Sequence, residues 1–99
     1  MKWRNKKFMK TIQQWASDAV LVQNACNLSG VAISFAEFMK DLRQTYPNKG
    51  TDWYNRHPVA VLFSDKIASL TGTQMGDFLY FSKAGNYCQD LVDGKEIDY

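Results

Sequence analysis

In the first quarter of this chain, hydrophobic side chains return every third or fourth residue: Phe8, Ile12, Trp15, Ala19, Val22 and Cys26. That period places them on one stripe of an α-helix, whereas a half-buried strand alternates every second residue. Gln13, Gln14, Ser17 and Asp18 fall largely off the stripe. The spacing predicts a first helix from about Asn5 to Cys26, with Val20 and Leu21 widening its apolar face toward a second neighbour.

The same period returns three more times. Asn27-Leu28-Ser29-Gly30 breaks the first helix, and Asn27 or Ser29 can accept from the free N–H groups of the next one. A second helix is expected from Gly30 to about Thr45, with Val31, Phe35, Phe38, Met39 and Leu42 as its buried stripe. Tyr46-Pro47-Asn48-Lys49-Gly50 reads as a loop, because proline stops a helix and Asn and Gly suit turn dihedrals. Thr51 can cap a short helical turn through Asp52–Asn55.

Pro58 is well placed to start a third long helix, since the first helical N–H has no partner to lose. Val59, Leu62, Phe63, Ile67 and Leu70 form its inner side, with Lys66 outside, and Gly72 suits its left-handed end. Thr73 opens a fourth helix with Phe78, Phe81, Gly85, Cys88 and Val92 as a stripe. Phe78-Leu79-Tyr80-Phe81 also fits a short buried strand, although no partner strand is apparent. The fold class expected is therefore all-α: a small bundle of about four helices with a short extra helical turn before helix 3. The chain reads as a single domain over residues 1–99, with residues 1–5 a basic arm and 94–99 an acidic tail. It shows no internal repeat.

Composition narrows the function classes. Residues 1–10 hold Lys2, Arg4, Lys6, Lys7 and Lys10 with no acid, while the remainder has seven bases against ten acids. Beyond its arm the chain is not built to hold a polyanion. The arm itself is a weak candidate for a nucleic-acid backbone through Lys2, Arg4, Lys6 and Lys7, with Trp3 stacking on a base. Keeping the first turn soluble explains the same charges. A helix-turn-helix reader needs a basic recognition helix, and helices 2 and 3 carry few bases, so nucleic acid is not the partner expected. No apolar run is long enough to span a bilayer, so no membrane partner is expected. Two cysteines, Cys26 and Cys88, are too few for a disulfide framework and read as reduced cytosolic thiols.

The densest polar patch is Thr51-Asp52-Trp53-Tyr54-Asn55-Arg56-His57-Pro58. Rigid rings supply area there, and an acid, an amide, a guanidinium and the only imidazole supply orientation. Trp53, Tyr54, Asn55, Arg56 and His57 are the candidate partner-binding residues. The competing reading is a tight connector, with Asp52 or Asn55 bonding backbone, Arg56 paired to a carboxylate and Trp53 plugging the core. A Cys26–His57–Asp52 catalytic set can be written down, but Cys26 lies on an apolar stripe where a thiol packs as a small hydrophobe. No zinc, calcium or phosphate-loop spacing is present, so neither an enzyme nor a cofactor or metal is expected. Trp3, Trp53, Tyr54, Tyr80, Tyr87 and Tyr99 exceed what a small core easily encloses. The surplus suits an interface with a protein partner or a homo-oligomer, or a wet rim around the core.

Ala25-Cys26-Asn27-Leu28-Ser29-Gly30-Val31, Thr51-Asp52-Trp53-Tyr54-Asn55-Arg56-His57-Pro58 and Lys66-Ile67-Ala68-Ser69-Leu70-Thr71-Gly72 resemble segments of small uncharacterised accessory proteins from bacteriophages and mobile elements. The resemblance spans about residues 15–75. It implies an accessory protein of the bacterial host cytosol. Some proteins of that kind block a host defence complex such as CRISPR-Cas by binding it, and it assigns no residue to that role. The function expected is non-enzymatic protein binding. The alternatives are a small-ligand or nucleotide pocket near Asn27 and Arg56, and nucleic-acid binding through the arm.

Overall fold

The computed structural model describes residues 10–72 and 78–95, with side chains in the last segment from Lys83 onward. Among the described residues the regular structure is entirely helical. It comprises α1 (Ile12–Leu21), α2 (Leu28–Thr45), α3 (Thr51–Arg56), α4 (Pro58–Thr71) and α5 (Phe78–Val92), with a 3₁₀ turn at Val22–Asn24. Four long helices and one short helix before the third of them match the expected bundle. Phe78–Phe81 is helical, which settles the strand alternative.

α1 starts at Ile12 rather than Asn5, and residues 5–9 of the expected span lie outside the described residues. Thr11 stops it from beginning earlier. Its backbone is extended, its hydroxyl accepts from Gln14 N–H, and the Gln14 amide oxygen accepts from Thr11 N–H. This capping box satisfies two donors that would otherwise lack partners. The other end also differs from expectation. α1 gives way at Val22 to the 3₁₀ turn, and Ala25 is extended. The change of period takes Cys26 off the stripe and leaves it exposed, not packed as a core hydrophobe. Leu21 is 67% exposed, so it does not widen the apolar face. It lies two residues, about 200° around the helix, from buried Ala19.

α2 begins at Leu28, two residues earlier than expected, because Asn27 is the cap and its Oδ1 accepts from Gly30 N–H at 3.2 Å. Val31, Phe38, Met39 and Leu42 are buried, and Phe35 packs against them. Gly50, not Thr51, caps α3, and it does so without a side chain.

α4 is the hub. It packs on α2, α5 and α1, and five consecutive residues, Val59, Ala60, Val61, Leu62 and Phe63, are buried. A helix buried on one stripe would leave Ala60 or Val61 wet, so enclosure of both shows neighbours on several sides. Each fully buried aliphatic or phenyl side chain of this kind contributes roughly 1.5–3 kcal/mol. The Phe63 ring lies 6.1 Å from Phe38, 6.1 Å from Phe35 and 6.4 Å from Trp15, so rings from α1, α2 and α4 meet at one point. α4 ends at Gly72 with φ +78°, the left-handed position expected of it. Lys66 is half-buried and ties α4 to the 3₁₀ turn through the Gln23 carbonyl at 2.9 Å.

α5 presents Ala84, Cys88 and Leu91 to the core, with Val92 partly buried. Phe78 and Phe81 of the expected stripe, and the Thr73 opening, lie outside the described side chains and residues. The Gln13 amide donates to the Val92 carbonyl at 2.7 Å and closes α1 onto the end of α5. Among the described residues no helix is long and apolar enough to cross a membrane.

Candidate functional site

The sequence patch around Trp53 becomes a corner. Proline lacks an N–H and disfavours helical geometry in the residue before it. His57 accordingly has φ −57° and ψ 135°, which ends α3 and turns the chain into α4. The same residue caps the new helix: His57 Nδ1 accepts the Val59 N–H at 3.2 Å. The neutral imidazole therefore carries its proton on Nε2.

His57 is 1% exposed and lies between rings, 5.5 Å from Phe38 and 6.0 Å from Trp53. Burial disfavours the imidazolium and lowers its pKa from 6.5 to about 4. Tyr54 is buried as well. Its hydroxyl donates to the Tyr46 carbonyl and accepts from Lys49 N–H, which fastens the loop between α2 and α3. Trp53 is half-buried, with its ring 5.2 Å from Tyr46 and 5.5 Å from Tyr54.

The five candidate residues thus divide by depth. Tyr54 and His57 face inward and build the support; Asn55 and Arg56 are exposed, and Trp53 lies at the boundary. Arg56 and Trp53 join Asp52 and His57 in lining an open groove of about 310 Å³. Two cations missed in the sequence reading complete the corner. Lys49 Nζ stands 5.1 Å above the Trp53 ring, and the Arg43 guanidinium 5.4 Å above the Tyr54 ring. Their sequence signal was weak, since each sits several residues from the ring it covers.

The other sequence candidates do not gather here. Cys26 is exposed on the α1–α2 connection. His57 Nδ1 accepts from Val59 rather than donating to Asp52, so the hydrogen-bond chain of a Cys–His–Asp set is not formed. Cys88 is fully buried, and burial raises its thiol to about 12. Asn27 spends its oxygen on the α2 cap and is not among the residues lining the Arg56 groove. Lys2, Arg4, Lys6 and Lys7, with Trp3 and Tyr99, lie outside the described residues, as does the side chain of Tyr80. Tyr87 is 41% exposed on α5. No group of three or more His, Cys, Asp or Glu side chains assembles among the described residues. No protein-family model, curated protein or solved structure matches the chain.

Proposed function

We propose that this chain is a non-enzymatic protein-binding accessory protein, and that the exposed edge of α3 is its docking surface. The observation carrying this reading is the division of labour at the corner. Trp53, Tyr54 and His57 are held by ring contacts and backbone hydrogen bonds, so the exposed groups of Asp52, Asn55 and Arg56 stand on a rigid base. Rigid support lowers the ordering cost of association, and Trp and Arg are frequent interface anchors. The resemblance to bacteriophage and mobile-element accessory proteins supplies the finer proposal: inhibition, in the bacterial cytosol, of a host defence complex such as CRISPR-Cas.

The test is site-specific photocrosslinking in bacterial lysate, with the crosslinker at Asn55 on α3 or at Gln13 on α1, both exposed. The expected result is a discrete adduct from position 55 that is absent from position 13 and lost on Arg56→Ala. No adduct from position 55, or equal adducts from both positions, would refute the reading. The groove itself favours a second reading, a small-ligand pocket. A melting temperature raised by nucleotides would support it, because a ligand that binds only the folded state stabilises it by mass action.

A further inference from the structure

The charge balance at this corner runs opposite to that of the rest of the chain. Beyond residue 10 the sequence carries more acids than bases, yet at this corner Arg43 stands over the Tyr54 ring, Lys49 over the Trp53 ring, and Arg56 lines the groove with one acid, Asp52. Asp41, the acid nearest Arg43 in sequence, turns instead to the α1 side, where its Oδ2 accepts from Trp15 Nε1 and from Lys10 N. Among the described residues neither Arg43 nor Lys49 pairs with a carboxylate. Both are exposed, and both are held over ring faces that fix their positions. A cation on a ring face keeps N–H donors for a further partner.

We propose that the corner formed by the end of α2, the 46–50 loop and α3 docks an acidic segment of a protein partner, with carboxylates on Arg43 and Lys49 and an apolar side chain in the groove beside Trp53. The inference rests on the protein-binding reading above and specifies the partner's chemistry. Charge complementarity favours this occupant, since rim cations steer an acidic partner to the site. Asp52 on the groove selects a peptide over a nucleic acid. It repels a phosphate chain running along the groove, while it accepts a peptide N–H.

The test is a heteronuclear NMR titration of the full chain with three probes: a short peptide alternating Glu and Leu, its Lys-for-Glu counterpart, and an oligothymidylate. The Glu peptide should give saturable shifts at Lys49 and Trp53 that weaken steeply with added salt. Combined Arg43→Glu and Lys49→Glu substitution, in a chain whose spectrum stays dispersed, should weaken it at least about tenfold. Lys49→Gln should weaken it less. The Lys peptide should leave the corner unmoved. Absence of binding by the Glu peptide, equal binding of both peptides, preference for oligothymidylate, or unchanged binding in the charge-reversed chain would each overturn the proposal. An Asn55 adduct that persists in the charge-reversed chain would sink this proposal and leave protein binding standing. Absence of any Asn55 adduct counts against protein binding itself.

Discussion

The indole Nε1 of Trp15 donates to Asp41 Oδ2 at 3.0 Å, a bond from α1 to α2 at the edge of the aromatic core. Trp15 is 4% exposed, so its N–H has little access to water as a replacement acceptor. Asp41→Ala should therefore cost about 1–3 kcal/mol, the range for stranding a buried donor. Asp41→Asn keeps an oxygen in place and should cost less. Urea unfolding of the two variants checks the order, and equal losses would show that the indole bond is not what matters.

Acid should weaken the fold through His57. The imidazole's pKa falls from 6.5 to about 4 on burial, so below pH 6.5 the unfolded chain binds a proton that the folded chain refuses. Stability is fully present above 6.5, declines as pH falls, and has lost this contribution by pH 4. The gap between those values corresponds to about 3 kcal/mol. Protonation would also set a donor at Nδ1 against the Val59 N–H. In His57→Gln, the slope between pH 6.5 and 4.5 should flatten, as read from unfolding midpoints across that window.

Two glycines should respond to alanine with opposite signs. A Cβ at Gly72 or at Gly85 meets no atom of the described residues within 4 Å, so space does not distinguish them. Backbone does. Gly72 has φ +78°, where an L-residue costs about 1–2 kcal/mol. Gly85 lies inside α5, where alanine is favoured by about 1 kcal/mol. Thermal unfolding should place Gly72→Ala below the parent chain and Gly85→Ala above it.

The two thiols should differ as sharply. Cys26 is exposed and Cys88 is buried with its thiol raised to about 12. A thiol reagent at neutral pH should label Cys26 in the folded chain and reach Cys88 only after denaturant is added, because the thiolate is the reactive form. Fast labelling of Cys88 in the folded chain would contradict its place in the core.

Long helices were legible wherever local chemistry and hydrophobic period agreed. Pro58 and Gly72 bracket α4 because one cannot continue a preceding helix and the other tolerates a left-handed end. Burial on every side of the first part of α4 was not legible, because a run such as Val59–Phe63 states how apolar a segment is without stating how many neighbours enclose it. Cys26 was misplaced for a related reason: extending a period assumes that the helix continues, and Val22–Asn24 tightens to 3₁₀ before Ala25 breaks it. The start of α1 was readable in Thr11-Ile12-Gln13-Gln14, a capping-box spacing that the apolar stripe overshadowed. At the corner, aromatics and polar groups were found together, but depth was not. Which of Trp53, Tyr54 and His57 turns inward depends on Phe38 and Tyr46, contributed by α2 and the loop after it.

A hub walled by α2 on one side and by α1 and α5 on others leaves neither half of the chain self-sufficient. Cleavage between Arg56 and Pro58 would yield one piece that supplies walls without a centre, and another whose Val59–Phe63 run is stripped of half its cover. Each piece alone would expose the surface the other was shaped to fill, so reassembly of the fragments, rather than autonomous folding of either, is the behaviour this architecture dictates.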